Sequence, residues 1–298
     1  MKLLMGKFPA LILLIVGFQI IIPNNAISQK NEKSLLWAVS GNGMEQTSYL
    51  FGTIHVLDSS YFLMESIVVQ KFNMSEKLVL EINMDDPDFQ SKVILSYIMK
   101  DDSLSNLLSP QEYRIVNDYF TDSIKIPLVT VEKIKPFYLS EMVGLLKIPK
   151  NSKSFEEEFI KMAHEQNNEI LGISTVEQES EIIGQLSFEI QTQILVESVN
   201  QEKILNDEIR RKKVLGLYLQ QDIDEIHTTS KMAMSGYGNL YELMFPQRHE
   251  VWVPNMEMLM RQHSCFFAVG VGHLAGETGL IDLLRRKGYE VNPISKKL

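Results

Sequence analysis

Two stretches far apart in this 298-residue chain share one design. Tyr49-Leu50-Phe51-Gly52-Thr53-Ile54-His55 and Phe266-Phe267-Ala268-Val269-Gly270-Val271-Gly272-His273 both run from an apolar β-type segment to a glycine, with histidine three residues later. A third apolar run, Leu78-Val79-Leu80, ends in Glu81. Such runs read as buried parallel strands, and ligands of open α/β sheets bind beyond the carboxyl ends of their strands. Three strand ends would thus bring two imidazoles and one carboxylate to the same edge, a recurrent donor set for a metal. Gly52, Gly270 and Gly272 would let the backbone turn and approach a ligand closely. The plain alternative is a pair of histidines that merely cap strands. A phosphate loop is a further rival, because Gly270-Val271-Gly272-His273-Leu274-Ala275 fits a loose G-x-G-x-x-A with Glu290 downstream. Too few residues follow that loop for the remaining βα units of a dinucleotide fold.

These residues need a scaffold. Leu35–Ser40, the turn Gly41-Asn42-Gly43 and Ser48–Phe51 read as a hairpin. Helical spacing of Met64, Ile67, Val68 and Phe72, followed by a strand over Lys77–Ile82, completes a βαβ outline. The tail repeats strand, His loop, helix (about 278–287) and a short strand from Tyr289. Between them the chain reads as mostly helical: helices over 89–99 and 110–120, a capping box at Ser154-Phe155-Glu156-Glu157, a strand over 169–173, and an amphipathic stretch from Ser187 to about Gln220 that breaks near Asn206. The expected fold is α/β, with a mixed or mostly parallel sheet built from both ends and a large helical insertion over about 86–260. Residues 27–298 form one domain in this reading.

Composition narrows the function classes. The formal charge of −9, with no long basic run, argues against nucleic acid as a partner. Lys2 and Lys7, an apolar stretch over 8–22 and then Pro23-Asn24-Asn25-Ala26 have the order of a secretory signal over 1–26. Its removal takes away two positive charges and no acid, so −9 becomes −11, and leaves no spanning segment. An uncleaved N-terminal anchor is the rival. Either way the protein is expected outside the cytoplasm, periplasmic or extracellular. Cys265, the only cysteine, excludes an internal disulfide and reads as a buried thiol. Glu156-Glu157-Glu158 read as helix-start acids, and His164, His227 and His263 as solvated side chains. No G-x-S-x-G elbow supports a serine hydrolase.

The chain resembles the TraB/GumN family, which includes the Tiki proteins of animals, in its secreted bacterial form. The likeness rests on Leu35-Leu36-Trp37, Ser48 to His55, Leu78-Val79-Leu80-Glu81-Ile82-Asn83, Gln247-Arg248 with Trp252, and Phe267 to Gly276. It implies a fold with paired Gly-x-x-His motifs and, in the Tiki branch, a divalent-metal-dependent protease acting outside the membrane. By that likeness His55 and His273 would be metal ligands, Glu81 a ligand or general base, and Arg248 a polar group of the site. Two departures stand out. Arg248-His249 replaces the family's usual Arg-Asn, and Gly172-Ile173-Ser174-Thr175 replaces Gly-Leu-Glu-Thr, which removes a carboxylate. His249 reads as a tolerated polar substitution, with an added ligand as the rival.

Together the residues and the resemblance point to a hydrolase using one divalent metal (Zn, Mn or Co), most simply a peptidase with a peptide or protein substrate. The alternative is a catalytically silent metal- or peptide-binding protein built on the same pocket. Substrate, choice of metal and oligomeric state are not written in the sequence.

Overall fold

A computed structural model describes residues 32–294, so the segment read as an export signal lies outside the described residues. In chain order the strands are β1 (Leu36–Gly41), β2 (Ser48–Thr53), β3 (Leu57–Asp58), β4 (Lys77–Ile82), β5 (Ser152–Lys153), β6 (Glu169–Ser174), β7 (Cys265–Gly270) and β8 (Tyr289–Pro293). The two short strands β3 and β5 pair with each other, and the other six form one sheet in the order β6-β4-β7-β2-β1-β8. Strands β6, β4, β7 and β2 run parallel, while β1 is antiparallel to both β2 and β8. The architecture is α/β with a mixed, mostly parallel sheet, and strands from both ends of the chain meet in it.

Apolar runs explain the centre of that sheet. Every residue of β2 is buried, as are Cys265 to Val269 of β7, because neighbouring elements cover both sheet faces and leave no polar alternation. β7 therefore slots between β2 and β4, the two strands of the first βαβ unit. Burial also pushes the Cys265 thiol up to about 12. The β1–β2 hairpin turns through Gly41, Asn42 and Gly43, all three at positive φ, which glycine and asparagine tolerate best.

One aromatic cluster bears directly on the site. The helix Phe155–Gln166 starts at Ser154, whose side chain accepts the Glu157 N–H, and stops at Asn167 in the left-handed conformation. It lays Phe155 and Phe159 against Phe51 of β2, with ring centroids 5.5 and 5.8 Å away, and Phe159 against Phe266 of β7 at 4.9 Å. Each such pair contributes about 0.5–1.5 kcal/mol beyond its buried area. The cluster thereby pins the first turn of this helix, Glu156 included, over the end of β2.

The structure corrects several details of the sequence reading. The last strand, β8, lies at the sheet edge beside β1 and parallel to β7, so the tail's strand–helix–strand unit crosses over β2 and β1 where the first unit crosses over β7 alone. The middle of the chain contributes β6 to the same sheet. The break in the long amphipathic stretch falls at Asn200, not near Asn206: the helices Phe188–Ser198 and Gln201–Leu219 flank it, and the Asn200 side chain accepts the Glu202 and Lys203 N–H groups.

Candidate active site

The parallel register aligns the three strand ends. Thr53 of β2 stands opposite Gly270 of β7, and Leu80 of β4 opposite Ala268 of β7, so His55, Glu81 and His273 emerge at one level of the sheet. Glu81 Oε1 lies 3.8 Å from His55 Nε2 and 3.7 Å from His273 Nε2, and accepts the Gly270 N–H at 2.7 Å. Arg248 reaches the cluster from the first turn of the helix Pro246–Met260. Its Nη2 donates to Glu81 Oε2 at 2.7 Å, its Nη1 lies 3.3 Å from His273 Nε2, and its guanidinium sits 4.6 Å above the Trp252 ring. The side chains of His55, Glu81, His273 and Arg248, singled out from sequence, come together here.

Each imidazole is held from behind. His55 Nδ1 is 2.9 Å from Glu156 Oε1, and a carboxylate there can only accept, so Nδ1 carries the proton. Glu156 also accepts from Thr53 Oγ1 at 2.5 Å and Ser154 Oγ at 2.8 Å. On the other side the Thr278 carbonyl, 2.6 Å from His249 Nδ1, fixes the proton on that nitrogen. His249 Nε2 then accepts from His273 Nδ1 at 2.8 Å. The His273 chain ends with an Nε2 lone pair turned toward Glu81, and His55 turns its Nε2, the nitrogen that would give up its proton to an incoming metal, toward the same carboxylate, the arrangement by which a hydrogen-bonded partner sets the tautomer of a metal-binding histidine.

Electrostatics follow from burial and charge. Burial opposes ionisation of Glu81, but the charges of Arg248, His273 and His55 and the Gly270 N–H outweigh it and hold its carboxyl well below the usual range. Burial pushes His249 down to about 4 and His273 well below 6.5, so both are neutral at pH 7. For His55 desolvation works against the charged form, yet the Glu156 hydrogen bond and the Glu81 and Glu156 charges prevail and raise its pKa to about 9. Its side chain is 61% exposed and forms the open side of the site.

A divalent ion suits this environment in charge and donor type. At pH 7 Glu81, Glu156 and Glu179 contribute −3 and Arg248 and the protonated His55 +2, leaving −1 in a largely buried pocket, which becomes −2 once an incoming cation displaces the His55 Nε2 proton. The atoms nearest a Cβ added at Gly270 would be His55 Nε2 at 3.2 Å, Glu81 Oε1 at 3.3 Å and His273 Cδ2 at 3.5 Å, so the glycine leaves between the donors a small space that a side chain would fill. The separations of 3.7 and 3.8 Å are near the roughly 3.4 Å edge of a tetrahedral site with ~2.1 Å bonds. Among the described residues, however, no three His, Cys, Asp or Glu side chains stand as a ready-formed metal group. In the present arrangement the Arg248 guanidinium takes up Glu81 Oε2 and faces His273 Nε2.

Several sequence assignments change. Glu156 is not merely a helix-start acid: it is buried and backs His55. His249 adds no ligand position, because both of its nitrogens are engaged behind His273; asparagine has an acceptor and a donor of the same kind. His227 is half-buried under the second loop, its Nε2 3.1 Å from the Tyr241 hydroxyl, rather than solvated. Of the three glycines, only Gly270 faces the site. A Cβ at Gly52 would lie 2.6 Å from Leu274 Cδ1, and one at Gly272 3.0 Å from Phe245 Cε1, so these two let the loops pack closely. The helix after His273 begins only at Leu280.

Comparison with known proteins decides the family. The family model described as TraB/PrgY/gumN matches residues 35–293, nearly the whole described chain. The chain belongs to the TraB/PrgY/gumN family. Among curated proteins, Metalloprotease TIKI2 of Danio rerio is 24% identical over 328 aligned residues, which cover 89% of this chain and 62% of the relative. This TraB/PrgY/gumN chain thus spans less than two thirds of that relative's length. No solved structure matches it. Among its described residues no helix is long and apolar enough to cross a membrane.

Proposed function

We propose that this family member is a divalent-metal-dependent hydrolase, and specifically a peptidase acting outside the cytoplasm. One observation carries the reading: two imidazoles from opposite ends of the chain, each with Nδ1 engaged, aim Nε2 at a single ionised carboxylate. Likeness to a relative named as a metalloprotease supports the reaction class. His55, His273 and Glu81 would hold the metal, and a divalent ion there supplies Lewis acidity that polarises a carbonyl and acidifies water.

The chain's own residues suggest a division of labour. A carboxyl held as low as Glu81 is a poor proton acceptor, which favours a ligand role over a general base. Arg248 presents Nη groups beside the same carboxylate and can steady negative charge developing on a carbonyl oxygen. Substrate would enter past His55, the exposed member of the trio. Export rests on the signal-like order of residues 1–26.

The same guanidinium favours the competing reading, a binding protein without turnover, because Arg248 already supplies a cation to Glu81. Incubation of the purified protein with a diverse peptide library and added Zn²⁺, Mn²⁺ or Co²⁺ separates the two. We expect new peptide termini, abolished by a chelator and by His273→Ala. Survival of every peptide with all three metals would rule out the peptidase and leave the binding protein.

A further inference from the structure

A buried carboxylate stands behind Arg248, on the side away from Glu81. Ser174 ends β6, opposite Ile82 of β4, and its hydroxyl donates a short hydrogen bond to Glu179 Oε1. Glu179 lies on the helix Val176–Ile183, which Thr175 caps by accepting the Gln178 N–H. It is only 9% exposed, so its charge depends on partners within the protein. Its other contacts converge on Arg248: Oε2 is 2.5 Å from Arg248 Nε in an ion pair without hydrogen-bond alignment, and Oε1 accepts from Trp252 Nε1 at 3.0 Å, the indole beneath the guanidinium.

We propose that Glu179 is a positioning residue for Arg248, with Ser174 holding its carboxylate in place. The guanidinium is planar, so fixing its Nε edge against Glu179 and one face against Trp252 determines where both Nη groups point. They point at Glu81 Oε2 and His273 Nε2. Without Glu179, Arg248 would have one anionic partner instead of two and could rotate away from His273. Ser174 completes the device: its small side chain leaves room for the Glu179 carboxylate, and its hydroxyl satisfies one of the carboxylate's lone pairs. The inference concerns the geometry of Arg248 and stands apart from whether the site cuts peptides.

Low-temperature ¹⁵N NMR of the arginine side chains tests it, with the Arg248 signals assigned by their absence in Arg248→Lys. In the wild type the Arg248 Nη protons should be resolved, because Glu81 and Glu179 together stop rotation about the Cζ–N bonds. Glu179→Gln, nearly isosteric, should collapse them to one averaged signal. The volume-conserving exchange Ser174→Glu with Glu179→Ser should resolve them again. Resolved Nη signals in Glu179→Gln would overturn the proposal, as would averaged signals in the exchange variant with native circular dichroism. If Glu179→Gln does not fold, the exchange variant decides: folded with resolved signals supports the proposal, unfolded or averaged overturns it.

Discussion

Arg248→Met should lose about 3–5 kcal/mol of stability at pH 7, the cost of removing one partner of a buried ion pair and stranding the other. Two carboxylates are stranded here. Arg248 Nη2 is 2.7 Å from Glu81 and Nε 2.5 Å from Glu179, and all three side chains are at most 15% exposed. Methionine fills similar volume, so the loss reports charge more than packing. The pH dependence carries the sign. Glu81 has its folded pKa depressed, so in the wild type its contribution is present above the unfolded value near 4.5 and lost as pH falls through the folded one. Without Arg248 that depression is largely gone, and the deficit of the variant should shrink at pH 4. Urea unfolding of both proteins at pH 7 and pH 4 measures this. A deficit below about 1 kcal/mol that does not change with pH would remove Arg248 from the electrostatic centre of the site.

The second large effect is acid sensitivity of the metal-free protein through His249. Its folded pKa is pushed down to about 4, first by burial and then by the Arg248 charge, against 6.5 in the unfolded chain. Between those values the unfolded chain binds the proton and the folded protein does not. Stability present above pH 6.5 is therefore lost as pH falls toward 4, by up to about 3.4 kcal/mol at 1.36 kcal/mol per pH unit. His273, depressed more strongly, adds loss in the same direction. The raised pKa of His55 acts elsewhere: its contribution is present below 6.5 and lost as pH rises through about 9. Asparagine at 249 keeps an acceptor for His273 and a donor for Thr278 but does not titrate. His249→Asn should accordingly match the wild type at pH 7.5 and be more stable by roughly 1–3 kcal/mol at pH 4.5. Equal slopes between those two pH values would show that His249 is not held neutral in the fold.

What the sequence disclosed depends on how local the cause is. The Gly-x-x-His loops and Glu81 are legible because strand, break and polar residue follow one another within eight positions, and parallel pairing then puts their ends together. Glu156 was obscured by its setting, since three glutamates at a helix start already have a sufficient explanation in the dipole. Its role exists only because Phe155 and Phe159 dock that helix on β2. Glu179 did leave a trace: it lies three residues after Val176 and four before Ile183, so a charge falls on the apolar stripe of its helix. The placement of β8 beside β1 depended on which sheet edge was open after β7 had inserted, and no local pattern records that.

The central claim is that His55, Glu81 and His273 form one metal-dependent centre. Elemental analysis of the purified protein, equilibrated with Zn²⁺, Mn²⁺ or Co²⁺ and freed of excess, tests it most directly. The account predicts one equivalent of at least one of these metals in the wild type and a loss of at least tenfold in affinity for both His55→Ala and His273→Ala. No stoichiometric metal in folded wild-type protein under any of the three conditions, or undiminished binding in both variants, would contradict it.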